Sequence, residues 1–289
     1  MDVIEKAKTE GLILDGATGT MLIQAGLKGG KASEFWNLEK PEIIQDIHKS
    51  YFEAGSDIVV TNTFGGSPIK LKKVGLGDSI EDVNRIGVRL AREVAGEGQY
   101  IAGDIGPIGE LLHPSGPIAF EEAIDCFAEQ ADYLSKAGVD LFIIETIFDV
   151  QESLAAIKGI QSVSSKPVFA TLTFEKTLKG FLTLMGNRVE ESMKSLIDEG
   201  AVAVGANCSI GSDAMLDLAR EIRQIINEPI IIQPNAGIPD LKDSETTYPE
   251  DKDFFSDNIR KIKESGIEIV GGCCGTTPDY IRSIVAKTS

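Results

Sequence analysis

The chain has 289 residues, 42% hydrophobic and 25% charged, with four cysteines and two histidines. Its 45 acidic and 28 basic side chains leave a net charge of −17 and a pI near 4.6, which speaks against binding nucleic acid or an anionic membrane. Mean hydropathy is +0.01, and the longest apolar runs, such as 138–144, are too short and interrupted to span a bilayer.

The amino-terminal MDVIEKAKTEG has no apolar signal region, and four cysteines without a regular framework suit a reducing compartment, so a cytoplasmic location is expected. Downstream, apolar segments alternate with amphipathic ones. The expected strands are 12–15, 58–62, 100–104, 141–146, 168–173, 202–207, 230–233 and 267–271. Each is a continuous apolar run, the form taken by parallel strands covered on both faces. Helical periodicity predicts helices such as 119–137 and 190–199, with Gly138 and Gly200 placed to stop them.

The phrases KAGVDLFII, DEGAVAVGA and ESGIEIVGG repeat one order: helix end, glycine, strand. Eight such units predict an α/β fold, a single (β/α)8 TIM barrel occupying 1–289 as one domain. An open doubly wound sheet is the alternative. The irregular stretches 24–41, 174–188 and 234–249 are expected to be loops over the catalytic mouth.

Polar residues gather where these strands end: Asp15, Thr61, Asn62, Asp104, Glu145, Thr173, Asn207, Cys208, Asn235 and Cys273. In a barrel those ends share one face, which houses catalysis. Cys208 closes AVAVGANC, and Cys273 and Cys274 stand together in IVGGCCGTTP. Three sulfurs at neighbouring strand mouths make a site for a thiophilic metal, zinc by ligand type. They are the expected metal ligands and the expected catalytic residues, with Asn235 as a possible weak fourth ligand.

A closed structural site would call for four ligands, often in CxxC pairs, and no such pair occurs. Three ligands leave a position open for substrate. A vicinal Cys273–Cys274 disulfide, or cysteines that merely pack, are the other readings. Cys126, on a helix beside Phe127, reads as a buried structural cysteine. His48 and His113 have no partner histidine at ligand spacing. Three thiolates leave a zinc centre net negative, suited to binding a substrate thiol, removing its proton and keeping the sulfur nucleophilic.

The segment DGATGT after the first strand is neither a Walker loop nor GxGxxG, but its backbone amides can receive a small anion such as a carboxylate. Asp15 and Glu145 can hold an ammonium group, unless they cap local structure. These features describe a pocket for an amino acid bearing a thiol.

The blocks DGATGTML, TNTFGGS, GDIGP, IIETIFD, GANCSIG, PNAG and GGCCGTTP, in this order, resemble the homocysteine S-methyltransferase family over nearly the whole chain. The resemblance implies a (β/α)8 barrel with zinc on Cys208, Cys273 and Cys274. It also implies that homocysteine's amino-acid end is held at Asp15, Gly16, Thr61 and Glu145. Phe64 is followed by Gly65, where betaine-using members carry a tyrosine, and the chain stops after its eighth helix without the extension of those enzymes. Both features resemble the cobalamin-dependent methionine synthase branch.

The stretch FEKTLKGFLTLMGNRVE departs from the usual shorter glycine- and serine-rich loop, at the place where a methyl donor should approach. A DxHxxG cobalamin signature is missing, because Asp46 and His48 are followed by KSY, and there is no nucleotide loop for S-adenosylmethionine. The expected function is therefore a zinc-dependent thiol S-methyltransferase, methylating homocysteine to methionine. The methyl group is expected from a methyl-corrinoid on a separate domain or protein. Open alternatives are a corrinoid-linked methyltransferase acting on another thiol or in a demethylation pathway, a zinc hydrolase on the same barrel, and a noncatalytic zinc or thiol sensor.

Overall fold

The computed structural model describes residues 2–28, 31–242 and 245–288. Eight strands form one parallel sheet: β1 Leu12–Ile13, β2 Ile58–Val60, β3 Tyr100–Ile105, β4 Leu141–Ile147, β5 Val168–Leu172, β6 Ala203–Gly211, β7 Ile230–Asn235 and β8 Ile269–Val270. Each pairs with its neighbour in chain order, and β1 pairs with β8 through Leu12↔Ile269 and Ile13↔Val270. A single parallel bridge, Leu14↔Ile58, joins β1 to β2. This is the expected α/β barrel.

Two aspartates reinforce that thin seam. Asp57 accepts from the Ile13 amide at 2.9 Å and pairs with Lys6 at 2.6 Å, while Asp15 Oδ2 accepts from the Val60 amide at 2.9 Å. Carboxylates thus take amides that a longer ladder would have satisfied.

Strand side chains alternate between two cores. Ile58, Val60, Leu141, Ile143, Phe169, Ala203, Ile231 and Ile269 point inward with Val3 and Ala7 of an amino-terminal helix, Val3–Thr9. Val59, Ile101, Phe142, Ile144, Ala170, Val204, Ile232 and Val270 point outward against the helices. Continuing the inner alternation toward the carboxyl ends brings Asp104, Glu145, Thr171, Asn207 and Gln233 onto the same face. The interior therefore changes from apolar to polar along its axis.

The helices Phe120–Ala137 and Val189–Asp198 lie within one residue of expectation, with Gly138 and Gly200 at φ 95° and 107° where each chain turns away. Four details differ from expectation. Strands β1 and β8 are only two residues long, because glycines and loop contacts take over beyond them. Strand β6 runs to Gly211 across a register break between Asn207 and Gly211. Short antiparallel ribbons, Glu175–Thr177 with Gly180–Leu182 and Asp240–Lys242 with Glu245–Thr247, stand in stretches expected to be irregular. Ribbons of three residues a side are too short to show a period. The expected loop 24–41 holds a 3-10 turn, Ser33–Phe35, and a short helix, Trp36–Glu39. Residues 29–30 and 243–244 of those stretches lie outside the described residues.

Candidate active site

DGATGT and GGCCGTTP interlock at the carboxyl end of the barrel. The Gly272 amide donates to the Asp15 carbonyl at 3.0 Å, the Ala17 amide to Thr276 Oγ1 at 3.2 Å, and the Gly275 amide to Thr20 Oγ1 at 3.0 Å. Thr276 Oγ1 donates in turn to the Cys273 carbonyl at 2.7 Å. The closeness requires glycine: a Cβ on Gly272 would stand 2.4 Å from Thr276 Oγ1, and one on Gly16 2.7 Å from it. Gly275 has φ 86°, which turns the backbone sharply after Cys274.

That turn brings the pair against Cys208. The sulfurs of Cys208, Cys273 and Cys274 all lie within 4.8 Å of one another, with Cys208 Sγ and Cys274 Sγ 3.9 Å apart. Zinc–sulfur bonds of about 2.3 Å in a tetrahedron set sulfurs about 3.8 Å apart, so this spacing fits a zinc ion. All three cysteines are free thiols, so the vicinal disulfide is not formed. Cys274 is drawn down to about 3 by hydrogen bonds from Cys208 and Cys273, with a further one from Tyr248. Cys273 is pushed well up by its hydrogen bonds to the other two and by burial. Asn235, the expected weak fourth ligand, is 2% exposed and its Oδ1 has no hydrogen-bond partner, but it is not among the residues that line the cavity over the cysteines.

Backbone breaks aim the central residues. Thr146, Cys208 and Ser209 adopt φ values of 60°, 62° and 65°, left-handed for residues that are not glycine. Such conformations cost about 1–3 kcal/mol each and persist only where surroundings enforce them. Asn207, fully buried, does the enforcing. Its Oδ1 accepts from the Thr146 amide and from Thr171 Oγ1, both at 2.9 Å. Its Nδ2 donates to Thr146 Oγ1 at 2.8 Å, to Glu145 Oε2 at 3.3 Å and toward Cys273 Sγ at 3.9 Å. One amide thereby sets the relative placement of the acid on β4 and the sulfurs of β6 and β8.

A cavity of about 420 Å³ opens over this floor. Its wall carries the three cysteines, Asp15, Asp104 and Glu145, the DGATGT backbone, Thr61, Phe64 and Tyr248, and among the described residues no lysine, arginine or histidine. Glu145 is raised to about 7, first by burial and then by the charge of Cys208, and burial raises Asp15 well above the usual carboxylate range. A larger cleft of about 910 Å³ adjoins it past Ser209, lined by Glu175, Asp213, Asp217 and Glu250, and holds no sulfur.

The structure brings Cys208, Cys273, Cys274, Asp15, Gly16, Thr61 and Glu145 to one cavity. Two of them also hold the frame: Asp15 through Val60, and Thr61 by accepting from the Asp104 amide at 3.0 Å. Cys126 is buried in the helical layer, away from the cavity, as expected. His48 is fully buried with both ring nitrogens unpartnered, and neither histidine lines the cavity. Sequence reasoning missed Tyr248, which sits in an expected loop with no motif around it. It also noted Asp104 and Asn207 at strand ends without giving them a role.

A parallel barrel whose carboxyl end carries three converging thiols, a group that could hold a metal ion, beside an acid-lined cavity is the setting of an enzyme that works on thiols. The family model described as "Homocysteine S-methyltransferase" matches residues 12–288, and the chain belongs to that family. It is 32% identical to the methionine synthase of Mycobacterium leprae (strain TN) over 308 residues, covering all of this chain and 25% of the relative. Identity and coverage are the same for the methionine synthase of Mycobacterium tuberculosis (strain ATCC 25618 / H37Rv). The chain thus spans about a quarter of the length of these curated relatives. Among solved structures, the metallated homocysteine methyltransferase MmuM from Escherichia coli superposes with a TM-score of 0.82 at 22% identity, covering 97% of each chain, which supports the fold.

Proposed function

We propose that the chain transfers a methyl group to the thiol of homocysteine, giving methionine, with zinc held by Cys208, Cys273 and Cys274. The observation that carries this reading is the convergence of three thiols within 4.8 Å on the floor of a cavity whose opposite wall is acidic. An amino-acid thiol has one end for each wall. Zinc, when bound there, supplies a strongly acidifying but electron-rich environment for one more sulfur. Asn235, whose buried Oδ1 has no hydrogen-bond partner, is the candidate for a weak fourth ligand.

The chain's own groups do the rest. The DGATGT amides receive the substrate carboxylate, with Gly16 leaving room for it. Asp15 and Glu145 receive the ammonium group in their ionised forms, and Thr61 packs beside them. Asn207 keeps Glu145 and Cys273 at fixed separation, so the thiol is held in line for attack on an incoming methyl group. The barrel domain supplies this acceptor half of the reaction from cytoplasmic homocysteine.

The donor in this reading is a methyl-corrinoid carried on another domain or protein. The relatives are methionine synthases in which this region is about a quarter of the length. The ribbon Glu175–Thr177 with Gly180–Leu182 follows the carboxyl end of β5 and borders the adjoining cleft, with Leu178, Leu184 and Met185 exposed, which suits an approaching apolar surface. Mixing zinc-loaded protein with methylcobalamin and homocysteine should shift the cobalamin spectrum at a rate that depends on enzyme. Turnover with betaine or a sulfonium donor, and none with a methyl-corrinoid, would remove the donor and leave the thiol reading intact. Normal turnover in zinc-stripped protein would sink the metal assignment.

A further inference from the structure

Asp104 stands on the inner face of β3, one layer above Ala102, and is 5% exposed. Its backbone is fully committed. The amide donates to Thr61 Oγ1 at 3.0 Å, and the carbonyl accepts from Thr63 Oγ1 at 2.9 Å and Gln130 Nε2 at 3.3 Å. These bonds fix where the side chain begins. Its carboxylate Oδ1, by contrast, has no hydrogen-bond partner, although the side chain lines the cavity.

The other two acids of the wall are partly spent. Asp15 Oδ2 holds the Val60 amide and Glu145 Oε2 accepts from Asn207. Among the described residues no cationic side chain lines the cavity to satisfy Asp104 from within. Lys70 influences it from outside, but lies over the Phe64 ring at 4.5 Å and is shared with Glu34 and Glu152. A buried carboxylate with an idle oxygen is costly unless something pairs with it. Burial, then the charges of Glu145, Glu34 and Asp15, push its carboxyl well up, so the empty site is short of a cation.

We propose that Asp104 is a substrate-binding residue that receives the ammonium group of the amino-acid thiol and makes the site selective for thiols that carry an amino group. This rests on the thiol-transfer reading and adds to it the residue that distinguishes an amino acid from a plain sulfanyl acid. An ammonium ion has three donors, and the cavity offers three acids of which Asp104 is the least engaged. A carboxylate and an ammonium brought together out of water give a charge-assisted hydrogen bond, lost when either partner is missing.

The test compares L-homocysteine with 4-sulfanylbutanoate, which has the same chain and no amino group, by calorimetry on zinc-loaded protein. The parent should favour homocysteine, and Asp104→Asn should reduce that preference by about 10–100-fold, almost wholly through weaker homocysteine binding. The zinc content and the affinity for 4-sulfanylbutanoate should stay as in the parent. If Asp104→Asn does not fold, Asp104→Ser serves the same comparison. A preference ratio unchanged in the variant, or equal weakening of both thiols, would overturn the assignment and leave the function standing. A parent that binds both thiols equally would do the same. A parent that binds neither would overturn the thiol reading and this assignment together.

Discussion

At the amino-terminal end of the barrel the strands are regular, and the inner face is filled by Leu12, Ile58, Leu141, Phe169 and Ile269 under the lid of Val3 and Ala7. At the carboxyl-terminal end the same inward positions carry Asp104, Glu145, Asn207 and Gln233, and both β4 and β6 break register. Three residues there hold left-handed conformations, and Asp104, Gln233 and Asn235 each leave a buried oxygen unpartnered. The first end gains stability from apolar burial; the second gives some of it up to hold charges and sulfurs in place. Stability and activity are thereby assigned to different ends of one structure.

The widest separation should appear between Cys273→Ala and Phe169→Ala. The cysteine change, like Cys208→Ala and Cys274→Ala, should lower zinc content and cut activity by about 1,000-fold or more, because a metal's charge contribution is lost. Urea unfolding of the metal-free proteins should barely change. Phe169→Ala should cost about 3–5 kcal/mol in the same urea experiment, with normal zinc affinity in the molecules that remain folded. Loss of folding in the cysteine variants, or loss of zinc binding in folded Phe169→Ala, would erase the distinction.

Asn207→Ala tests the join between the two ends. It frees the Thr146 amide and the Thr171 hydroxyl, so the bulges should relax toward ordinary strand. We expect kcat/KM for homocysteine to fall about 10–100-fold, with a stability loss of about 1–3 kcal/mol. Unchanged kcat/KM would show that the kinks hold themselves.

The smallest effect is expected at Glu152, which is 3% exposed and accepts from the Ile108 amide at 2.6 Å. Burial raises its carboxyl to about 7. An acid raised on folding adds stability that is complete below its unfolded pKa and lost as pH rises through the folded one. Glu152→Gln keeps an acceptor for Ile108 without the charge. It should therefore gain about 1–3 kcal/mol over the parent at pH 8, and much less at pH 5, by urea unfolding at both values. A gain independent of pH would mean that charge is not the cost at this position.

The eight strands were legible because buried parallel strands are uninterrupted apolar runs, and Gly138 and Gly200 mark the helix ends by the left-handed turn each makes. The sulfur cluster was legible too, since a strand followed by cysteine, repeated in a barrel, sends the sulfurs to one face. The bulges were not. Nothing in IIETIFD says that Thr146 leaves the strand conformation, because its partner Asn207 lies 61 positions away, and although GANCSIG contains that asparagine it does not say which backbone amide the side chain will reach. Tyr248 escaped for a related reason: its ring packs against Gly275, across a loop whose short ribbon has no period. Asp15 showed the opposite ambiguity, being a pocket acid that is also a seam bond.

The interlock of DGATGT with GGCCGTTP has a consequence in time. Its hydrogen bonds join Ala17 to Thr276 and Gly275 to Thr20, pairs separated by 259 and 255 positions in the chain. Contacts that distant form late, after the loop-closure entropy of nearly the whole barrel has been met. During synthesis a growing chain exposes Cys208 well before Cys273 and Cys274 leave the ribosome. In that interval it holds one of the cluster's three sulfurs and no cavity, so assembly of the sulfur cluster and ring closure become the same late event. A newly made chain therefore cannot become competent piecemeal, and its three sulfurs meet only when the barrel is shut.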